Sequence, residues 1–189
     1  MNSGRLVVAV AGMPGSGKSL VANVAREKGY STVIMGDEVR EEAKKRMLEP
    51  TPDNLKMIML DLRKAEGEGV MAKRCIPKIE KAYRQKIIID GVRSLSEVDE
   101  FTIHFRNFTL IAIHSSPETR FKRICGRRRS DDPSNLEIFR ERDFRELGVG
   151  LGGAIAMAEH MLINEGSIET AKNRASEILR RAEEKWKNS

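Results

Sequence analysis

A glycine-rich stretch near the beginning of the chain most strongly constrains its fold. An apolar run over residues 7–11 passes into residues 12–19, which follow the pattern Gly-x-x-x-x-Gly-Lys-Ser, and a helix-forming segment continues from there. Glycines allow backbone angles that other residues avoid and let a phosphate approach the chain closely. The N–H groups of such a loop, together with the positive end of the following helix, attract an anion. The stretch therefore predicts a strand, a phosphate-binding loop and a helix in direct succession.

Two side chains at the end of this loop have the chemistry that a nucleotide site needs. Lys18 is expected to place its ammonium on the terminal phosphates, and Ser19 to give its hydroxyl to Mg²⁺. A glycine-rich turn that carries Lys-Ser by chance is the alternative, but the flanking strand and helix argue against it. The residues predicted to bind ATP as the cofactor are Gly12, Met13, Pro14, Gly15, Ser16, Gly17, Lys18 and Ser19. The loop predicts triphosphate binding but not the reaction that follows.

Composition limits the class of protein. The 189 residues with 40% hydrophobic content suit a single domain over residues 1–189. The apolar runs are too short to span a bilayer, so we expect no membrane partner and a cytoplasmic location. Cys75 and Cys125 are too few for a disulfide framework or a zinc site, and are expected to be reduced thiols. The net charge of +6 fits either a polyanion partner or a Lys/Glu-rich surface, and 5% aromatic content gives no stacking platform for RNA. A nucleic-acid partner is therefore not favoured.

Short apolar segments alternate with helical ones along the chain. Strands are predicted over residues 5–11, 31–35, 86–89, 108–113 and 160–163. Helices are predicted over 20–28, 36–47, from an Asp53 cap onward, 70–84, 95–104, from a Ser116 cap onward, 134–147, 154–159 and 167–186, with a glycine-rich joint over 148–153. This alternation predicts a three-layer α/β P-loop NTPase fold with a five-stranded parallel sheet in the order 2-3-1-4-5. Residues 36–85 would form a helical acceptor-binding insertion, and residues 120–140 a short arginine-rich lid.

Polar motifs follow the predicted strands at 36–40 and 90–93, and ligands of parallel sheets bind at such carboxyl ends. We therefore expect both motifs to share a cleft with the loop. Asp90 would orient water on Mg²⁺ near Ser19, although an aspartate before glycine is also common in turns. Arg93 would face the same cleft. Arg40 suits an acceptor phosphate, whereas Asp37 could cap its helix or act as general base toward an acceptor hydroxyl.

Arginines are concentrated in the predicted lid. The helix that follows Ser116 and its exit contain Arg120, Arg123, Arg127, Arg128 and Arg129, and the next helix adds Arg140 and Arg142. Such a run is either a solvated face or a set of cations that closes around the reacting phosphates. We favour the second interpretation, with hinges at Gly126 and at residues 148–153.

Several of these motifs resemble those of adenylate kinases. Residues 36–40, Gly-Asp-Glu-Val-Arg, are similar to their Gly-Asp-x-Leu-Arg element, and residues 90–93, Asp-Gly-Val-Arg, resemble their Asp-Gly-Phe-Pro-Arg. Residues 123–128 resemble the arginine helix that enters their lid, and the spacing from Arg129 to Arg140 matches its exit. The resemblance implies that Arg40 and Arg93 hold the acceptor phosphate. It also implies donor-phosphate and transition-state contacts by Arg123, Arg129 and Arg140.

The second half of the chain is also similar to dephospho-coenzyme A kinase. Residues 158–166 resemble that family's Ala-Asp-x-x-Ile-Asx-Asn-x-Gly, and residues 35–40 parallel its Asp-Ala-Asp…Arg, in which the second Asp serves a ribose hydroxyl. Taken together, the chain resembles an archaeal P-loop family described as related to adenylate kinase or to dephospho-coenzyme A kinase.

The expected function is a nucleoside-monophosphate-kinase type of phosphotransfer, from Mg-ATP to a small phosphorylated acceptor. The expected catalytic residues are Lys18, Asp37, Arg123, Arg129 and Arg140; the acceptor-binding residues are Asp37, Arg40 and Arg93; and the metal-binding residues are Ser19 and Asp90. Two alternatives stay open. One is transfer to a ribose hydroxyl, with Asp37 as base, and the other is an ATPase switch that acts with RNA or a ribosome-assembly partner.

Overall fold

The computed structural model describes residues 4–127, 132–133 and 135–189. The strands of this part of the chain are β1 Leu6–Ala11, β2 Ser31–Ile34, β3 Lys86–Asp90, β4 Asn107–His114 and β5 His160–Ile163. Its helices are α1 Lys18–Glu27, α2 Met35–Lys45, α3 Pro52–Glu66, α4 Val70–Lys81, α5 Leu95–His104, α6 Pro117–Arg127, α7 Leu136–Gly148, α8 Leu151–Ala156 and α9 Ile168–Lys187. Strands and helices alternate as the sequence predicts.

The five strands form one parallel sheet in the order β2-β3-β1-β4-β5. This confirms the predicted α/β P-loop NTPase fold and its strand order. Strand β1 lies at the centre, between β3 and β4, and all six of its residues are buried. Its register pairs Val10 with Asp90, so the last residue of β3 lies beside the end of β1, where the glycine-rich loop begins.

The sheet separates two hydrophobic clusters, because successive side chains of a strand point to opposite faces. Val7, Ala9 and Ala11 pack in the cluster that contains residues of α2 to α5 and α8. Val8 and Val10 pack on the other side, with residues of α1 and α9. The helices on the two faces give the predicted three layers. None of the described helices combines the length and apolar character that a membrane crossing requires.

The structure corrects several predicted boundaries. Thr51, not Asp53, caps α3: its hydroxyl accepts a hydrogen bond from Asn54 N at 3.3 Å, and Pro52 takes the first helical position. Helix α4 ends at Lys81, three residues earlier than predicted. Asn135 caps α7 through a 2.9 Å bond from Ile138 N, whereas the predicted start at Ser134 lies outside the described residues. The predicted joint over 148–153 is shorter, because α8 begins at Leu151.

Candidate nucleotide-binding site

The glycine-rich loop connects β1 to α1, and its backbone requires glycine at specific points. Gly17 adopts the left-handed conformation, with φ 105°, immediately before the first residue of α1. A Cβ atom there would overlap the side-chain amide of Asn164. A Cβ atom at Gly12 would lie 2.6 Å from both Ile113 O and Ser16 Oγ. The close packing that surrounds the loop therefore excludes side chains at both positions.

Lys18 bonds within the loop. Its Nζ donates to Gly12 O at 2.6 Å and to Met13 O at 3.3 Å. Burial lowers the pKa of Lys18 to about 8. The negative charges of Asp90 and Glu146 oppose this shift and stabilise the ammonium. The protein therefore stabilises the Lys18 ammonium only in part. An anionic ligand such as a phosphate would stabilise it further.

The structure brings Asp90 and Arg93 to the loop, as the strand-end prediction expects. Both residues act electrostatically on Lys18, Asp90 by raising its pKa and Arg93 by lowering it. Arg93 also contacts α7, because its Nε lies 3.4 Å from Glu146 Oε2. The donor lysine, a carboxylate and an arginine of the β3 end therefore meet in one place.

The donor set at this place fits Mg²⁺. Ser19 is exposed in the first turn of α1, and Asp90 is half-buried at the end of β3. A hydroxyl and a carboxylate are oxygen donors of the kind Mg²⁺ takes when substrate phosphates and waters supply its other ligands. Among the described residues, no cluster of three or more His, Cys, Asp or Glu side chains could hold a metal. One hydroxyl and one carboxylate would match the sparse protein ligation that is usual for this ion.

Asp37 and Arg40 form an exposed pair on the first turn of α2. Asp37 Oδ1 accepts a 2.7 Å hydrogen bond from Arg40 Nη1, and both side chains are about half exposed, at 49% and 56%. The residue at the cap position of α2 is Ile34, and no side chain caps this helix. The structure therefore rules out helix capping, one of the two roles that the sequence left open for Asp37.

The lid arginines divide into groups that the sequence did not separate. Arg120 is buried, with 3% exposure, and its guanidinium binds Asp143 and the carbonyl of Pro14. It therefore faces the loop backbone and not a phosphate position, contrary to its assignment to the phosphate-binding lid. Arg123 donates to Ser115 Oγ at 2.8 Å and to Asn164 O at 2.9 Å.

The remaining arginines lie farther along the lid. Arg127 pairs with Asp132 at 2.5 Å, and Arg128 and Arg129 lie outside the described residues. Arg140 borders an apolar groove between α6 and α7, which Phe121 and Phe144 also line. Arg142, two positions further along α7, lies close enough to Lys18 to lower its pKa. Residues two apart on a helix point to different sides, so the charge of Arg142 acts on Lys18 while Arg140 borders the groove.

Four polar residues that the sequence analysis did not assign support the site. The side chains of Ser115 and Asn164 donate hydrogen bonds to Ser16 O at 3.3 and 2.8 Å and so stabilise the loop backbone. Glu97 is buried and accepts the N–H of Arg93 at 2.7 Å while it pairs with Arg63 of α3 at 3.1 Å. Burial raises the pKa of Glu97, and these two partners oppose the rise.

Glu146 is the fourth of these residues, and it lies on the inward face of α7. Phe139 is the one residue of α7 that is buried. Asp143 and Glu146 follow it at i+4 and i+7 and therefore lie on the same inward face. The sequence alone does not mark this face, because other apolar residues of α7 are exposed, among them Leu136, Ile138, Phe144 and Leu147.

Comparison with known proteins identifies the family. The chain is 47% identical to the UPF0200 protein of Hyperthermus butylicus, over 94% of this chain and 95% of that protein. The chain belongs to the UPF0200 family. A second UPF0200 protein, from Methanocaldococcus jannaschii, is 45% identical over 92% of this chain and 89% of its own length. Residues 11–140 of this UPF0200 chain also match the family model of an AAA domain. An archaeal family is confirmed, while the relation to adenylate kinase and dephospho-coenzyme A kinase stays a prediction.

Solved structures share the fold of this UPF0200 protein. A shikimate kinase from Bacteroides thetaiotaomicron aligns with a TM-score of 0.63 and 14% identity, over 93% of this chain and 98% of that one. A gluconokinase from Sinorhizobium meliloti aligns with a TM-score of 0.59 and 14% identity, over 100% and 99%. TT1252 from Thermus thermophilus aligns with a TM-score of 0.60 and 17% identity, over 94% and 97%. At these identities the likeness shows a P-loop kinase-like fold.

Proposed function

We propose that this UPF0200 protein transfers the γ-phosphoryl group of ATP to a small, nucleotide-like acceptor that carries a phosphate. The observation that carries the proposal is the charge arrangement at Lys18. Asp90 and Arg93 reach the lysine from the β3 end, and Arg142 and Glu146 reach it from α7. Phosphoryl transfer depends on positioning and on neutralising phosphate charge. Cations on both sides of the donor lysine suit two anionic substrates better than a single nucleotide.

The donor half of the site consists of the loop and its metal-binding residues. The loop amides and Lys18 would hold the triphosphate, after Lys18 Nζ exchanges its bonds to Gly12 O and Met13 O for phosphate oxygens. Ser19 and Asp90 would hold Mg²⁺, which supplies charge neutralisation at the phosphates when it is bound. ATP, Mg²⁺ and a cytoplasmic location are parts of this proposal.

The acceptor half would use Arg93 and Arg40 for the acceptor phosphate. Arg93 is paired with Glu146, and Arg40 with Asp37, so an anionic acceptor would replace a carboxylate at each arginine. A phosphate oxygen is already ionised near pH 7 and can attack without a base. If the acceptor instead attacks through a ribose hydroxyl, Asp37 is the candidate base.

The lid would neutralise charge as the phosphoryl group moves. Arg123 and Arg129 are retained from the resemblance for this role. Arg142 takes the place of Arg140, because the charge of Arg142 acts on Lys18 whereas Arg140 borders the groove between α6 and α7. For Arg123 the role requires that it leave Ser115 and Asn164. Arginines held beside the reacting phosphates lower the barrier to phosphoryl transfer without forming covalent bonds.

The test is a transfer screen with γ-labelled ATP and Mg²⁺ across nucleoside monophosphates, nucleosides and dephospho-coenzyme A. The proposal expects label in a nucleoside monophosphate, and loss of that label in Lys18→Met. Label in a nucleoside or in dephospho-coenzyme A would indicate hydroxyl attack instead. Inorganic phosphate as the single labelled product, released faster with RNA, would favour an ATPase switch and contradict the proposal.

A further inference from the structure

Helix α7 carries Glu146, which pairs with Arg93, and Arg142, whose charge acts on Lys18, yet few of its residues anchor it. Phe139 is its one buried residue and packs against Phe121 of α6, with ring centroids 5.3 Å apart. The exposed apolar side chains of α7 include Phe144, which is 73% exposed. The position of Arg142 therefore depends on a small number of contacts between α7 and the rest of the site.

The strongest of these contacts is the bidentate ion pair between Asp143 and Arg120. Arg120 Nη1 donates to Asp143 Oδ1 at 2.8 Å, and Arg120 Nη2 donates to Asp143 Oδ2 at 2.5 Å. The guanidinium also lies over the ring of Phe139, 4.9 Å from its centroid. Parallel arginine–carboxylate bonds fix orientation as well as distance. The pair therefore fixes the rotation of α7 about its axis.

The same guanidinium holds the nucleotide loop. Arg120 Nη1 donates to Pro14 O at 3.1 Å, and Nε donates to Ser115 O at 3.3 Å. A Cβ atom at Gly15 would lie 2.9 Å from Arg120 O, so this part of α6 touches the loop backbone directly. A loop that binds phosphate with its N–H groups must direct carbonyl groups elsewhere, and Arg120 satisfies one of them.

We propose that Asp143, acting through Arg120, is a positioning residue that keeps the nucleotide loop in its binding conformation and α7 against it. This inference rests on the proposed function, because it assumes that the loop binds ATP and that Arg142 acts on the bound nucleotide. It assigns a structural task to Arg120, which the interpretation of the arginine run as a lid had grouped with the phosphate-binding arginines. Removing one partner of a buried, hydrogen-bonded pair leaves the other charge uncompensated, so the loop and the helix should loosen together.

The test compares Asp143→Ala with Glu141→Gln in the full chain, with Asp143→Asn as the milder variant. Glu141 is an exposed carboxylate of the same helix, so its substitution removes the same charge without touching Arg120. Backbone NMR relaxation of the ligand-free protein would report the mobility of residues 12–19 and of α7. Affinity for Mg-ATP would be measured by calorimetry.

The proposal expects Asp143→Ala to increase the mobility of both segments and to weaken ATP binding about tenfold, because the binding-competent loop is less populated. Asp143→Asn keeps an acceptor oxygen for Arg120 and should fall between Asp143→Ala and the native chain, while Glu141→Gln should change neither quantity. Mobility confined to α7, or unchanged ATP affinity, would overturn the proposal. The relaxation measurement needs no acceptor, so failure of the proposed transfer activity, with ATP still bound, leaves this result intact.

Discussion

Lys18 Nζ lies 2.6 Å from the carbonyl oxygen of Gly12 and donates a hydrogen bond to it. The cation that would bind a triphosphate is thus held by the backbone of its own loop. Burial keeps the pKa of Lys18 at about 8, well below its ordinary value of 10.5. This partly stabilised charge should affect both the stability of the protein and its binding of ligands.

Stability should depend on pH through Lys18. The unfolded chain binds a proton at this residue up to about pH 10.5, whereas the folded chain releases it from about pH 8. The ammonium therefore costs stability below pH 8, and this cost disappears as the pH rises from 8 to 10.5. Relative to Lys18→Met, the native free energy of unfolding should rise by about 1–2 kcal/mol across this interval, after allowance for solvent screening.

Urea denaturation of both proteins at a series of pH values measures this difference. Substitution of the exposed Lys172 by Met is the matched control, and it should parallel the native protein at every pH. A constant difference between the native protein and Lys18→Met from pH 8 to 10.5 would show that the lysine is not destabilised by burial.

Binding of Mg-ATP should take up protons near pH 8. About half of the Lys18 side chains are neutral at that pH, and the triphosphate charge favours the ammonium form. Calorimetric titrations in two buffers that differ in ionisation enthalpy should give an uptake of up to about half a proton. At pH 7, where the ammonium already predominates, uptake should be small. Equal binding enthalpies in the two buffers at pH 8 would argue against a neutral fraction of Lys18.

The loop and the sheet were predictable because their signals are local. The Gly-x-x-x-x-Gly-Lys-Ser spacing lies within eight residues, and each strand is a short apolar run. The cap of α3 was also readable, since Pro52 favours the first helical position and so places the cap at Thr51. The prediction of Asp53 is wrong because both residue types cap helices, and the position of Pro52 decides between them in favour of Thr51.

The role of Arg120 could not be predicted in the same way. Its partner Asp143 lies 23 residues away, on a different helix, and the choice between phosphate and carboxylate depends on how α6 and α7 pack. The choice between Arg140 and Arg142 also depends on the rotation of α7. Phe139 alone marks its inward face, too weak a signal to fix that rotation in advance.

Arg142 and Arg140 form a matched pair for testing the lid. Arg142 acts on Lys18, while Arg140 borders the groove between α6 and α7. Arg142→Met should therefore lower kcat/KM for phosphoryl transfer about 10–100-fold, whereas Arg140→Met should change it less than threefold. Steady-state kinetics with the labelled acceptor measures both. A larger loss for Arg140→Met would mean that α7 turns when substrates bind, and would contradict the assignment of Arg142.

Asp37→Asn distinguishes the two kinds of acceptor. If a phosphate oxygen attacks, the variant should retain kcat within about tenfold, because no base is needed. Loss of a general base would lower kcat by about 10²–10⁴-fold. The asparagine oxygen can still accept the hydrogen bond from Arg40, so the position of that arginine is preserved. A loss of kcat in that range would indicate that the acceptor attacks through a hydroxyl and not through a phosphate oxygen.

The most direct test of phosphotransfer is the fate of the γ-phosphoryl group in a single reaction. With γ-labelled ATP, Mg²⁺ and the acceptor panel, we expect labelled acceptor to form at least about tenfold faster than labelled inorganic phosphate. Lys18→Met should abolish both products, and Arg93→Met should raise KM for the acceptor more than for ATP. Labelled inorganic phosphate alone, at a rate that no small acceptor changes and RNA increases, would contradict the assignment of this UPF0200 protein as a phosphotransferase.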